Sequence, residues 1–365
     1  MPTELEYRIA LTQVPQIGCV AAKTLLQHFG NATDIFKAKK SMLSAIDGIG
    51  TVRAESIKQY TDFELCSSEV AFIEKHHIQP LCLLDEAYPK RLLNCYDSPT
   101  MLYYKGEANL NQSRIVSIIG TRKNSDYGKH CVQELMESLA AHEVLIVSGL
   151  AFGIDTLAHR DALKHKLPTV AVLAHGLQTI YPAENKKLAK QMLEEGGGIL
   201  TEFMSGTGPD KHNFPTRNRI VAGMADATIV VETDVKGGSM ITAELANNYN
   251  RDVLAYPGKI TDSRSRGCNH LIKTNKAALI TSGQDVLEMM NWLPQEKKAP
   301  AQRSLFIELS ADERILYDLL QPSPLHIDEI NLRSQLSASA VATALLTLEL
   351  QGVVASLPGK MYKLL

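Results

Sequence analysis

The sequence of 365 residues is short of several things at once. No apolar run approaches the roughly 18 residues of a membrane-crossing helix. The first residues, Met1-Pro2-Thr3-Glu4-Leu5-Glu6, are acidic and carry no apolar signal core, so secretion is not expected. The six cysteines, Cys19, Cys66, Cys82, Cys95, Cys131 and Cys268, form no C-x-x-C pair. That spacing argues against a zinc ribbon and a disulfide framework, and reads as reduced, mostly buried thiols of a cytoplasmic protein. An excess of charge of one sign is missing too: 38 Lys+Arg stand against 40 Asp+Glu, for a formal net charge of −2. A histone-like DNA packer is thereby excluded, whereas a local basic site is not, because binding depends on where charge sits. No Walker loop, G-x-G-x-x-G, H-E-x-x-H or G-x-S-x-G occurs, and the histidines show no metal-ligand spacing. No catalytic residue, metal site or cofactor is therefore assigned, and His175 reads as structural.

What is present divides into zones. Residues 1–65 read as short helices with Gly turns, and 66–112 as a mixed connecting region. Residues 113–292 alternate apolar strands with amphipathic helices. A polar linker, 293–304, leads into a small tail, 305–365. In the middle zone, Ile115–Ile119, Val144–Val147, Thr169–Leu173, Gly198–Leu200, Thr228–Val231 and Val253–Tyr256 are apolar without alternation, as in strands covered on both faces. Interleaved helical patterns make this an α/β domain, with a Rossmann-like, doubly wound, mostly parallel sheet that binds ligands at its carboxyl edge.

The first zone repeats a pattern. Val14-Pro15-Gln16-Ile17-Gly18 and Ile46-Asp47-Gly48-Ile49-Gly50 each precede small Ala and apolar residues. The pattern resembles a helix-hairpin-helix, whose turn offers amides to a DNA phosphate; it also fits a plain α-hairpin that needs Gly for φ > 0. The tail reads as three helices and two short strands about Pro358-Gly359, a winged helix. Its third helix, from Ser337, has no Arg or Lys, which favours protein contact or spacing over groove reading.

Four segments carry candidate chemistry. Gly120-Thr121-Arg122 follows the first strand of this zone, where Gly lets backbone approach a ligand and Arg can fork onto phosphate, or is a surface residue in a turn. Ser148-Gly149-Leu150-Ala151-Phe152-Gly153-Ile154-Asp155 opens a helix whose amides suit an anion, with Asp155 as its cap. Lys211-His212-Asn213-Phe214-Pro215-Thr216-Arg217-Asn218-Arg219 packs three fixed cations, an amide and an aromatic into nine residues, the combination that binds single strands. Gly237-Gly238-Ser239 is a glycine loop entering a helix, and Arg264, Arg266, Asn269 and Lys273 extend the basic surface or form an ordinary loop.

Taken in order, Ile119–Arg122, Ser148–Asp155, Gly176-Leu177 with Tyr181-Pro182 and Asn185, Phe214–Gly223, Val230–Glu232, Ser239–Ala243 and Ala255–Gly258 resemble the DNA-processing protein A family, also called DprA or Smf. The resemblance implies a non-catalytic single-stranded DNA binder that protects DNA during natural transformation, loads the RecA recombinase and dimerises through the Rossmann-like domain, with no membrane partner. Family pocket positions fall on Gly120, Arg122, Ser148, Gly149, Lys211, Phe214, Arg217 and Asn218; Arg219, Gly238 and Ser239 join them on their own chemistry. Cys268, Gln178 and Asn275-Lys276-Ala277-Ala278 depart from the family pattern. Two rival readings stand beside this one. One is a nucleotide phosphoribohydrolase using Gly237-Gly238 with Glu244, although Met240 and Ile241 stand where that motif wants Gly and Thr. The other is a winged-helix regulator of duplex DNA.

Overall fold

The computed structural model describes residues 2–293, 309–357 and 360–365. Nine strands run in chain order: β1 (Gln79–Cys82), β2 (Met101–Gly106), β3 (Ile115–Gly120), β4 (Leu145–Ser148), β5 (Thr169–Val172), β6 (Gly198–Thr201), β7 (Ala227–Val231), β8 (Asp252–Ala255) and β9 (Ala278–Leu279). They form one sheet in the order β1-β2-β6-β5-β4-β3-β7-β8-β9. From β6 to β9 every neighbouring pair is parallel. The strands β4, β5, β6 and β7 are buried along their whole length, which is why their sequences do not alternate. The chain winds outward from β3 to β6, then returns to place β7 on the other side of β3. That reversal is the position where an open α/β sheet leaves a crevice at its carboxyl edge.

The connecting zone does more than connect. It supplies β1 and β2, which pair antiparallel with each other and with β6 and widen the sheet. Pro80 lacks an N–H and the Cys82 N–H is taken by Asp85 Oδ2 at 2.7 Å, so the outer edge is blunted against further pairing.

The N-terminal helices Glu4–Gln13, Cys19–Phe29, Ala32–Lys37, Lys40–Ser44 and Gly50–Gln59 belong to the same compact unit as the sheet, 1–293. Tyr7, Phe36, Tyr60 and Phe63 form their aromatic core. Gly48 and Gly50 take φ of +77° and +65° at the second hairpin turn, which a side chain would strain. Arg53 donates to the carbonyls of Gln16 and Gly48, tying the two turns of the repeat together. The zone's cations are largely spent in this way. Lys23 donates to the carbonyls of Leu93 and Cys95, Lys58 to those of Phe36 and Ala38, and Lys40 pairs with Glu55. Packing thus accounts for these hairpins without a DNA phosphate.

The second unit, 294–365, has its own core of Leu316, Leu320, Ile330, Val341, Leu345, Leu348 and Val354. Helices Ala311–Leu320, Ile327–Ser334 and Ala338–Leu350 precede β11 (Val354–Leu357) and β12 (Met361–Leu364). A two-residue strand, β10 (Leu325–His326), completes a sheet of order β10-β12-β11. The expected linker, apart from Leu293, and the turn at Pro358-Gly359 lie outside the described residues.

Among the described residues no helix is long and apolar enough to cross a membrane. All six cysteines are free, and all but Cys19 are buried. Burial pushes the Cys268 thiol up to about 12, far from a reactive thiolate.

Candidate functional site

Two anion seats at the carboxyl edge are filled by the chain's own carboxylates. Glu232 follows β7 and lies buried, and its carboxylate accepts from the Ser125 N–H at 2.8 Å and from the Ser125 hydroxyl. Ser125 caps the helix Asp126–Leu139, so Glu232 occupies the N-terminus where a Rossmann enzyme holds phosphate. A Cβ at Gly128 would come within 2.3 Å of Glu232 Oε2, which shows how closely that seat is packed. The second seat is the loop after β4. Its amides turn inward: Gly149 and Ala151 donate to Asp155, the latter at 3.3 Å. The expected N-cap role of Asp155 is corrected here. The cap position is Gly153, at φ +77°, and Asp155 reaches back from inside the helix Ile154–Lys164 to gather the loop. Ser148 is buried and its hydroxyl donates to the Ile118 carbonyl at 2.6 Å, so it is committed to the fold.

Two of the three cations expected in the Lys211–Arg219 segment are also internal. Arg217 lies buried under the loop, where Nη1 donates to the carbonyls of Gly149 (2.6 Å) and Val172. Its charge offsets that of Asp155. Burial lowers Arg217 to about 10 and raises Asp155, each being favoured in its charged form by the other. Gly149 is small for the sake of this guanidinium, since a Cβ there would stand 2.4 Å from Nη1. Asn218 accepts from Arg217 Nε at 3.1 Å. Arg219 pairs with Glu202 and donates to the Asp97 carbonyl. The helix Asn213–Met224 packs against the sheet, so its inward positions must be buried; charge alone does not reveal that. Gly120 is corrected likewise. A Cβ there would meet the Val231 carbonyl at 2.1 Å and Ile154 at 2.5 Å, so the glycine serves the close approach of β3 to β7 and to the helix Ile154–Lys164 after β4 rather than of a ligand.

What remains at the surface is compact. The Arg122 guanidinium lies 5.4 Å from the ring centroid of Phe214, a cation–π contact. Tyr181 stands 6.2 Å from Phe214, tilted by 56°. With Gly149, Ala151, Phe152 and Pro182 these three side chains line one shallow hollow. Arg122 and Lys211 are exposed, and neither has an ion-pair partner among the described residues. Gly153 packs against the backbone of Thr121 and Arg122 and so fixes where Arg122 starts.

Tyr181 and Phe152 were not among the site residues expected from sequence. The Tyr181 N–H donates to His175 Nε2 at 3.2 Å, while His175 Nδ1–H donates to the Gly176 carbonyl. His175 is thus the structural histidine that holds the Tyr181 loop. Asn185 donates to the Leu150 carbonyl and to Thr156, joining that loop to the β4 loop. The Tyr181-Pro182…Asn185 pattern was visible in the sequence, but not that it faces Phe214.

The other cluster does not extend the basic surface as far as its charges suggest. Arg264 pairs with Asp262 and Arg266 with Asp234, and Asn269 holds the Gly258 backbone. Gly238 opens the helix Gly238–Asn248 and is exposed, whereas the Ser239 hydroxyl donates to Thr233.

Below the site, Thr169 donates to the Ile146 carbonyl and accepts from His159 Nδ1–H at 2.7 Å. Burial and the nearby Arg217 hold His159 neutral, down at about 3. A depressed histidine contributes stability that is present above its unfolded value of 6.5 and lost as pH falls toward 3. The melting temperature of His159→Gln should therefore fall less steeply over that interval than that of the parent. Parallel pH curves would remove His159 as the acid-sensitive group.

The comparisons with known proteins agree along the chain. The family model described as DNA recombination-mediator protein A matches residues 79–291. The chain belongs to this family. A DprA winged-helix model matches 296–360 and a helix-hairpin-helix model 9–66. The Smf protein of Synechocystis is 32% identical, over 99% of both chains. DprA of Streptococcus pneumoniae is 38% identical, over 70% of this chain and 96% of its own. Among solved structures, that of S. pneumoniae DprA has a TM-score of 0.65 at 34% identity, covering 78% of this chain and 97% of its own. A structure of Helicobacter pylori DprA, concerned with its single-stranded DNA binding mode, has a TM-score of 0.53 at 32% identity, covering 59% of this chain and 95% of its own.

Proposed function

We propose that this DprA-family chain binds single-stranded DNA through the Arg122–Phe214 rim. The observation that carries the reading is an exposed guanidinium over an aromatic ring, without an ion-pair partner among the described residues, in a region where the neighbouring carboxylates are turned inward. Arg122 and Lys211 hold phosphates, and Phe214 supports a base. Gly120, Ser148, Gly149, Arg217 and Asn218 shape the floor, Arg219 braces the helix behind it, and Gly238 with Ser239 offers a peripheral contact. The single-strand binding of the H. pylori relative supports the assignment. The chain acts in the cytoplasm as a homodimer formed through the sheet domain, shields incoming DNA during transformation, and passes it to RecA. It does so without catalysis. Met240 and Ile241, where that motif wants Gly and Thr, and the pairing of Glu244 with Lys276 at 3.1 Å weigh against the phosphoribohydrolase reading, whose test is release of free base from nucleoside monophosphates.

The deciding experiment is competition between single- and double-stranded oligonucleotides, followed by a RecA-loading assay on the preferred ligand. Preference for duplex would overturn the reading in favour of the winged-helix regulator. Phe214→Ala should cost about 1–3 kcal/mol of affinity, because stacking is lost. Its salt dependence should stay that of the parent, since stacking releases no counterions. A shallower salt slope would remove Phe214 as the stacking residue.

A further inference from the structure

The strands β3, β4, β5 and β6 are successive parallel neighbours, so right-handed crossovers put the three helices between them on one face of the sheet. These helices are Asp126–Leu139, Ile154–Lys164 and Lys186–Glu194, and the middle one packs against both others. Each follows a loop that gives the hollow one side chain: Arg122, Phe152 and Tyr181 in turn. The three entries are tied together. The Ile154 N–H donates to the Thr121 carbonyl at 3.1 Å, and Asn185 donates to Leu150 and Thr156.

Just past the rim, each helix carries an exposed cation. Lys129 stands on the first, Arg160 on the second, Lys186 and Lys187 on the third, and Lys123 in the first loop. None of these has an ion-pair partner among the described residues. The exposed acids over the same turns are Asp126 and Glu184. Asp161 is buried where the first two helices meet, and Lys129 from one and Arg160 and Lys164 from the other favour its charge. Its Oδ2 nevertheless meets no donor among the described residues, so these cations stay turned outward. Elsewhere, Lys40, Arg264, Arg266 and Lys276 are paired with carboxylates. A chain of net charge −2 thus holds a local excess of positive charge beside the rim.

We propose that this row is a second phosphate track, which takes the backbone of the single strand as it leaves the rim and carries it across the three helices. It extends the proposed function and rests on the rim as the strand's anchor. Packed helices lie about 10 Å apart, so the row reaches across roughly 20 Å. It contributes through charge alone, so it holds any base sequence and weakens with salt. Preference for a single strand comes from the rim, where an unstacked base meets Phe214.

The test combines Lys129→Gln, Arg160→Gln and Lys187→Gln, one from each helix. The control combines Lys90→Gln, Lys105→Gln and Lys166→Gln, the same loss of charge toward the amino edge of the sheet. The full chain is titrated with oligo-dT of about 6 and about 16 nucleotides, the first filling the rim and the second reaching the row. The row variant should bind the longer strand roughly tenfold more weakly, as expected for three exposed charge contacts. Its salt slope should flatten by about 2, at about 0.7 per contact. The shorter strand should bind as to the parent, and the melting temperature should not move. Equal losses from row and control, or on both lengths, would overturn the track in favour of general attraction. A larger loss on duplex than on the longer single strand would overturn it too, assigning the row to duplex. A parent-like row variant beside a weakened Arg122→Ala would sink the track and leave the rim standing. Row loss beside a parent-like Arg122→Ala would instead overturn the rim as anchor, and this extension with it.

Discussion

Arg122→Ala should weaken binding of an oligo-dT strand roughly ten- to hundredfold, since a hydrogen bond to a charged group contributes about 1.5–3 kcal/mol. The guanidinium is exposed, lies over the Phe214 ring and has no ion-pair partner among the described residues, so its charge is not committed to the fold there. The melting temperature should therefore stay that of the parent. Each phosphate contact on a single strand contributes about 0.7 to the slope of log affinity against log salt. Arg122→Ala should flatten that slope by about this amount, and Lys211→Glu by more, because it adds repulsion to the loss. A salt titration of fluorescence anisotropy reads both quantities. Parent-like affinity in both variants would show that the strand lies elsewhere.

Arg217→Ala should behave in the opposite way: the fold suffers first. Removing one partner of a buried pair leaves the other charge uncompensated and costs about 3–5 kcal/mol. Here the stranded group is Asp155, already raised by burial, and the Gly149 and Val172 carbonyls lose their donor too. For a unit of this size the loss corresponds to a fall of roughly 10 °C in melting temperature. The double variant Arg217→Met with Asp155→Asn should regain a good part of it, because neither charge is then buried alone. Arg217→Lys separates the structural role from a ligand-binding one. A lysine keeps the charge but has no Nε–H for Asn218 and no planar guanidinium to pack against Gly149, so a structural Arg217 predicts lost stability. A parent-like melting curve combined with lost DNA affinity would mean that Arg217 reaches the strand directly.

These two arginines show how far sequence carries. Both stand in motifs of Gly, aromatic and cation, and as letters they are equivalent. Arg122 lies on the loop after β3, which ends in solvent, whereas Arg217 lies on the inward face of a helix that covers the sheet. The difference is burial, which depends on what packs above each residue. The same holds for glycines. Gly149 was expected to expose amides, yet its missing side chain makes room for Arg217. Asp155 and Glu232 fill the places that a loop-and-helix pattern reserves for an anion, and this shows only once the chain closes. Strands from the connecting zone, β1 and β2, escaped because β1 is a four-residue edge strand broken by Pro80 and β2 pairs antiparallel beside it, outside the strand–helix alternation that marks the parallel strands.

The sequence by itself determined the α/β class, the strands from β3 to β8, the helical hairpins and the winged-helix tail. Those follow from local periodicity and turn chemistry, which neighbours in the chain set. It also marked Arg122 and Phe214 as candidates for one site. Tertiary structure alone decided which cations remain free, that Tyr181 and Phe152 join Phe214, and that the chain's own carboxylates fill its anion seats. Those are contacts between residues far apart in sequence, and desolvation, which follows from such contacts, decides whether a charge binds a ligand or braces the fold.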